Sequence, residues 1–274
     1  MKTVLFPTDF SENAAHALNL ALKFVDDRDG RLVLMHSCDL PYDFASRAEE
    51  ILEANRSYSK QQLGELENTI RKNSTYQSMN VETVTRCGSS VFTILEVAED
   101  FEADLIMMGT KGISGLKHML FGSVTTRVIK EADIPVMAIP SEASTEAIDE
   151  IVFPTDYRDD DLTMLADIIT LADSFDAKVT ILHIAETEHL KEEIMYRGFS
   201  SYLREKVHFS NIEHKLTYNP NMFDALDNYT KDVKNIVLAI GDYHGIFIDQ
   251  LTGLNIKKWL DAHDSMPLLV LKAN

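Results

Sequence analysis

The segment Gly109-Thr110-Lys111-Gly112-Ile113-Ser114-Gly115-Leu116-Lys117-His118-Met119-Leu120-Phe121-Gly122-Ser123-Val124-Thr125 has the make-up of an anion cradle. It leaves a short apolar run, Leu105 to Met108, and opens onto helical spacing at Val124, Val128 and Ala132. Glycines let a backbone approach a ligand closely and adopt positive φ. A helix start offers unpaired N–H groups and the positive end of the helix dipole. Ser123 and Thr125 add hydroxyls there. Residues 109–130 carry Lys111, Lys117, Arg127 and Lys130 with no Asp or Glu, a local charge of +4 in a chain of net charge -18. Such an inversion is what capture of a phosphate requires in an acidic protein. The plain alternative is a strand–loop–helix connection that binds nothing.

Other chemistries find less support. The acidic balance argues against a broad nucleic-acid or anionic-membrane surface, because phosphate backbones need clustered Lys and Arg. There is no G-x4-G-K-[ST] loop, and no side chain stands out as a nucleophile or general base. Cys38 and Cys87 form neither a metal-ligand spacing nor a C-x-x-C, and are expected to be reduced thiols in a cytoplasmic protein. The N-terminus is too poor in apolar residues for a secretory leader, and no apolar run nears the ~18–20 residues that span a bilayer. His36 and His183 read as structural histidines. Asp9 reads equally as a turn-capping residue or as part of a site.

The elements that must position the loop come from a repeat. Leu5-Phe6-Pro7-Thr8-Asp9-Phe10 returns as Val152-Phe153-Pro154-Thr155-Asp156-Tyr157, and Leu32-Val33-Leu34-Met35-His36 as Val179-Thr180-Ile181-Leu182-His183, both displaced by 147 positions. Asp104 to Gly109 matches Asn235 to Gly241, and each half closes on a strand after a proline, Pro135 to Ile139 and Pro267 to Leu271. The polar stretch 141–149 reads as a linker, which gives domains at 1–140 and 150–274. Periodicity predicts strands at 2–6, 32–36, 81–86, 105–108 and 136–139. It predicts helices from Ser11, over 44–72, over 90–101 and over 123–132, and the second half reads likewise. Strands alternating with helices imply an α/β fold whose parallel sheets are covered on both faces. Ligands of such sheets sit at the carboxyl ends of the strands.

Gly109-x2-Gly112-x9-Gly122-Ser123, together with Phe6-Pro7-Thr8-Asp9-Phe10-Ser11, resembles the ATP-binding signature and opening strand of the universal stress protein family. The resemblance extends over nearly the whole chain, twice. It implies two tandem Rossmann-like domains, each with a five-stranded parallel sheet in the order 3-2-1-4-5. It implies ATP as ligand, with Pro7, Thr8 and Asp9 on the adenosine half and Ser37 meeting the base through its backbone. Met108, Gly109, Lys111 and Gly112 would line the ribose and phosphates, and Gly122, Ser123, Val124 and Thr125 would hold the phosphates. With so few cations, Mg²⁺ bridging the phosphates is expected. The family habit of pairing through the fifth strand implies residues 136–139 against 268–271 within one chain, an internal pseudo-dimer, with a homodimer open beyond it.

The second half departs from the signature. His244 stands where Gly112 would repeat, and Leu254 and Asn255 where Gly122 and Ser123 would. Residues 241–262 carry a net charge of -1. One ATP per chain, in the first half, is therefore expected. The function expected is nucleotide-linked conformation or binding of an unknown protein partner in stress response, with slow ATP hydrolysis at most. A nucleotide-independent scaffold and an ATP-using transferase are the competing classes.

Overall fold

The computed structural model describes residues 1–40, 48–110, 122–231, 233–242, 263 and 265–273. The chain divides into two compact units, Met1–Glu146 and Ala147–Asn274.

The first unit runs β1 (Thr3–Pro7), α1 (Glu12–Asp27), β2 (Arg31–Cys38), α2 (Ala48–Lys72), β3 (Asn80–Cys87), α3 (Ser90–Asp100), β4 (Leu105–Gly109), α4 (Ser123–Glu131) and β5 (Val136–Ile139). The strand order is β3-β2-β1-β4-β5, and every pairing is parallel. β1, β2 and β4 are near-continuous apolar runs because both faces of the sheet are covered. Leu5, Phe6, Leu32, Leu34, Leu105 and Met107 are wholly buried. In α1, the stripe Ala14, Ala17, Leu18, Ala21, Leu22 and Val25 all faces the core. Ser11 starts that helix, its Oγ accepting from Ala14 N at 3.1 Å, as the sequence led one to expect.

The second unit runs β6 (Glu150–Pro154), α5 (Asp160–Ser174), β7 (Lys178–Ala185), α6 (Leu190–Lys206), β8 (Ile212–Tyr218), α7 (Met222–Thr230), β9 (Ile236–Asp242) and β10 (Leu268–Lys272). Its order, β8-β7-β6-β9-β10, repeats that of the first unit, again all parallel.

The division between the units falls within 141–149, the stretch read as a linker, whose first part packs on the first unit. Ala143 is buried and its carbonyl accepts from His16 Nε2 at 2.8 Å, while the Glu146 carbonyl accepts from Lys23 Nζ at 2.7 Å. One expectation needs correction: the cysteines are not free thiols. Cys38 and Cys87 form a disulfide. They are separated by 49 positions in sequence, but the parallel register of β2 and β3 sets them opposite each other as its last pair. Spacing along the chain carries no trace of that. No described helix is long and apolar enough to cross a membrane.

Candidate functional site

A cleft of about 380 Å³ opens in the first unit at the carboxyl ends of β1, β2 and β4. Its walls hold Pro7 at the end of β1 with Thr8 and Asp9 after it, Ser37 at the end of β2, and Met108 and Gly109 at the end of β4. The start of α4 contributes Gly122, Ser123, Val124 and Thr125. These residues, distant in sequence, were each singled out above. Lys111 and Gly112, also singled out, lie outside the described residues, as do His244, Leu254 and Asn255. Ala14, Met35, His36, Ser90 and Ile94 also line it and were not foreseen. Only the folding of α1 and α3 against the strand ends brings Ala14, Ser90 and Ile94 there.

Local chemistry explains the walls. Pro7 ends β1, and Thr8 N donates to Met35 O at 2.8 Å. The chain then reverses: Phe10 takes φ 61°, its N–H donating to Thr8 Oγ1 at 3.0 Å, while Ser11 N donates to Asp9 Oδ1 at 3.1 Å. Asp9 is thus a turn residue and a cleft residue at once. Ser37 spends its side chain inward. Its hydroxyl donates to Gly88 O at 3.3 Å and accepts from Thr93 Oγ1 at 3.0 Å. Cys38 O accepts from Gly88 N on the β3 side. Strand alternation therefore turns the Ser37 N–H and C=O toward β1, which has already ended. That leaves its backbone to face the cleft.

His36 is structural and cleft-lining together. Phe10 stacks on its ring at 4.5 Å, and Nδ1 lies 2.9 Å from Ser59 Oγ. Because the Ser59 hydroxyl donates to Asn55 O at 2.9 Å, it accepts from His36, which puts the ring proton on Nδ1. Burial lowers the His36 pKa below its ordinary value, against the opposing pull of Asp9 and Asp39.

Among the described residues, no side chain caps the start of α4. Gly122 is its N-cap, at φ -66° and ψ 161°, and brings no side chain to the first-turn N–H groups of Ser123, Val124 and Thr125. Gly122 N donates to Thr110 O at 2.6 Å, which ties the helix start to the end of β4. The two glycines differ in why they are glycine. A Cβ on Gly109 would sit 2.8 Å from Asn13 Nδ2, so α1 itself occupies that space. A Cβ on Gly122 would meet, among the described residues, nothing nearer than Thr110 O at 3.4 Å, and its φ suits any residue. The hydroxyls also differ. Ser123 is exposed, whereas Thr125 is buried and its Oγ1 donates to Gly109 O at 3.1 Å. Thr125 therefore joins helix to strand and has no hydroxyl proton left for an anion. Val124, counted in the apolar stripe, is only half-buried on the cleft wall.

The matching place in the second unit is built differently. Thr155 Oγ1 again accepts from the residue at positive φ, Tyr157, at 2.9 Å. Asp156, however, is largely exposed, and Asp161 takes over the turn, bonded to Thr155 Oγ1 and accepting from Arg158 N at 3.0 Å. Both ring nitrogens of His183 are engaged, Nδ1 with Thr155 O at 2.7 Å and Nε2 with Glu192 Oε2 at 3.0 Å. Tyr157 packs on His183 and Phe199 at 4.3 and 4.9 Å, and its hydroxyl reaches His214 Nε2 at 3.1 Å. Burial, reinforced by His183, pushes the His214 pKa down to about 4. After Gly241 comes Asp242, buried and paired with Lys272 Nζ at 3.0 Å, where the first unit has Thr110.

Known proteins resemble this chain in sequence and in fold. Universal stress protein MJ0531 of Methanocaldococcus jannaschii is 33% identical over 142 residues, 50% of this chain and 81% of that protein. Universal stress protein MJ0577 of the same organism is 30% identical over 162 residues, 52% of this chain and 97% of that protein. A crystal structure of a universal stress protein from Archaeoglobus fulgidus covers 99% of this chain and 96% of its own, at TM-score 0.74 and 16% identity, and so shares the fold. The sequence profile of the universal stress protein family matches residues 1–140, the whole β1–β5 sheet with its cleft, and the chain belongs to that family.

Proposed function

We propose that the first unit binds ATP in the cleft and that the chain acts in stress response through nucleotide-linked conformation or partner binding. The observation that carries this reading is the start of α4, which no described side chain caps, facing the ends of β1, β2 and β4 across a cleft of about 380 Å³, within the ~300–1,000 Å³ of small-molecule sites. The phosphates would meet the N–H groups of Ser123, Val124 and Thr125 and the Ser123 hydroxyl. The described residues leave room beside Gly122 for close approach. The base would meet the Ser37 backbone between Met35, Ile94 and Met108.

Among the described residues no group of three His, Cys, Asp or Glu stands ready for a metal. Mg²⁺ would accordingly be carried by the phosphates and neutralise charge that the protein does not. The titratable groups among the cleft's described residues, Asp9 and His36, are already bonded to Ser11 N and Ser59. This favours binding over turnover. The second unit, with Asp242 buried at the end of β9 and His183 engaged on both nitrogens, is read as having lost the site. A cytoplasmic location is proposed on composition. The direct test is mass spectrometry of ligand released from gently purified protein, followed by calorimetric titration with ATP. ATP in the released fraction and one site per chain support the reading, and no binding by either method refutes it.

A further inference from the structure

We propose that the Cys38–Cys87 disulfide is a redox latch on the wall of the cleft, so that a dithiol reductant weakens nucleotide binding; this rests on the ATP reading above. The bond joins the last register pair of β2 and β3, and each cysteine is one residue from a group that shapes the cleft. On one side Ser37 lines the cleft. On the other Gly88 follows, at φ 156°, and turns the chain into α3, whose Ser90 and Ile94 form part of the opposing wall.

Three hydrogen bonds run across the same junction: Gly88 N to Cys38 O at 2.9 Å, Ser37 Oγ to Gly88 O at 3.3 Å, and Thr93 Oγ1 to Ser37 Oγ at 3.0 Å. They hold the Ser37 wall to the α3 wall, and the disulfide is the covalent member of that set. The β2–β3 ladder has seven registered pairs besides the cysteine pair, so reduction loosens the junction and leaves the sheet intact. A binding wall that must be ordered on ligand entry costs affinity.

The chemistry has an entry point. Cys38 is buried, but Cys87 is half-buried. A thiolate of the dithiol attacks Cys87 Sγ, a mixed disulfide forms, and Cys38 leaves as thiolate and takes a proton. The second thiol of the reductant then displaces Cys87, which is also protonated. Two electrons and two protons pass to the protein, and the reductant becomes a cyclic disulfide. In the cytoplasm disulfides are mostly transient and redox-sensing, which suits a latch better than a permanent staple.

The test titrates the oxidised full-length chain with ATP by calorimetry, then repeats the titration in excess dithiol, with thiol counting on both samples. The Cys38→Ser/Cys87→Ser double variant is run in both buffers. The expected result is a Kd about tenfold higher in reductant, and a double variant that matches reduced wild type in either buffer. An unchanged Kd in a sample whose thiols all count as free overturns the latch, as does an oxidised sample that contains no disulfide. If neither form binds ATP, the nucleotide reading is what fails, and hydrogen exchange on the same samples decides the latch. Faster exchange at 37–40 and 86–94 on reduction supports it, and equal exchange overturns it.

Discussion

Gly122 and Gly109 belong to one motif but answer to different constraints, and mutation separates them. Gly122→Ala adds a Cβ that the protein itself accommodates at 3.4 Å from Thr110 O. It should leave thermal stability within about 0.5 kcal/mol and still weaken ATP binding, because the ligand uses that space. Gly122→Asp adds bulk and a like charge. Each effect is worth ~1–3 kcal/mol, so a loss of about a hundredfold or more in affinity is expected by calorimetry. Gly109→Ala should do the reverse. Its Cβ meets Asn13 at 2.8 Å, and the melting temperature should fall by the equivalent of ~1 kcal/mol, the low end for overpacking because an amide can rotate. If Gly122→Ala lowered stability and spared binding, the proposed contact between phosphate and the start of α4 would be wrong.

At the scale of elements, the aromatic and histidine cluster that joins α6, β8 and the turn after β6 should make the second unit acid-sensitive. His214 has Tyr157 OH and Ser200 Oγ at its two nitrogens, with Tyr196 and Phe199 against its ring. The titratable groups facing the cluster are His183, Glu192, Tyr157 and Tyr196. The His214 pKa in the fold, about 4, lies below its unfolded value of 6.5. The unfolded chain therefore takes up the proton first as pH falls. Stability from this group is complete above about 6.5 and is lost progressively down to about 4. Thermal melts across that window should show the decline, and His214→Phe should flatten it. His36 in the first unit is shifted in the same direction, for the same reason of burial. A melt whose midpoint rose on acidification between those values would contradict the assignment of a neutral, buried His214.

At the scale of the molecule, the two units share a topology while their sites diverge, and calorimetry should find one ATP per chain. Two sites of similar affinity would show that the buried Asp242–Lys272 pair and the engaged His183 do not close the second unit to nucleotide. Asp242→Thr, which restores the residue type found after Gly109, should not by itself create a second site, because His244 and Leu254 remain. How much of this was legible in the sequence follows from range. The repeat, the parallel α/β class and nearly every strand could be read from the chain, because apolar periodicity and turn residues are local properties. The α4 start and the β1 turn were legible too, since each lies within a few consecutive residues. What only tertiary structure decided depends on strands that meet far apart in sequence. The register of β2 against β3 put Cys38 opposite Cys87 and overturned the expectation of two thiols. The packing of α1 on β4 made Gly109 a glycine for Asn13's sake. The same folding committed the Thr125 hydroxyl to Gly109 O and brought His36, Ser90 and Ile94 to the cleft. Periodicity says which face of an element is buried, but not which atom of a distant element fills the space against it.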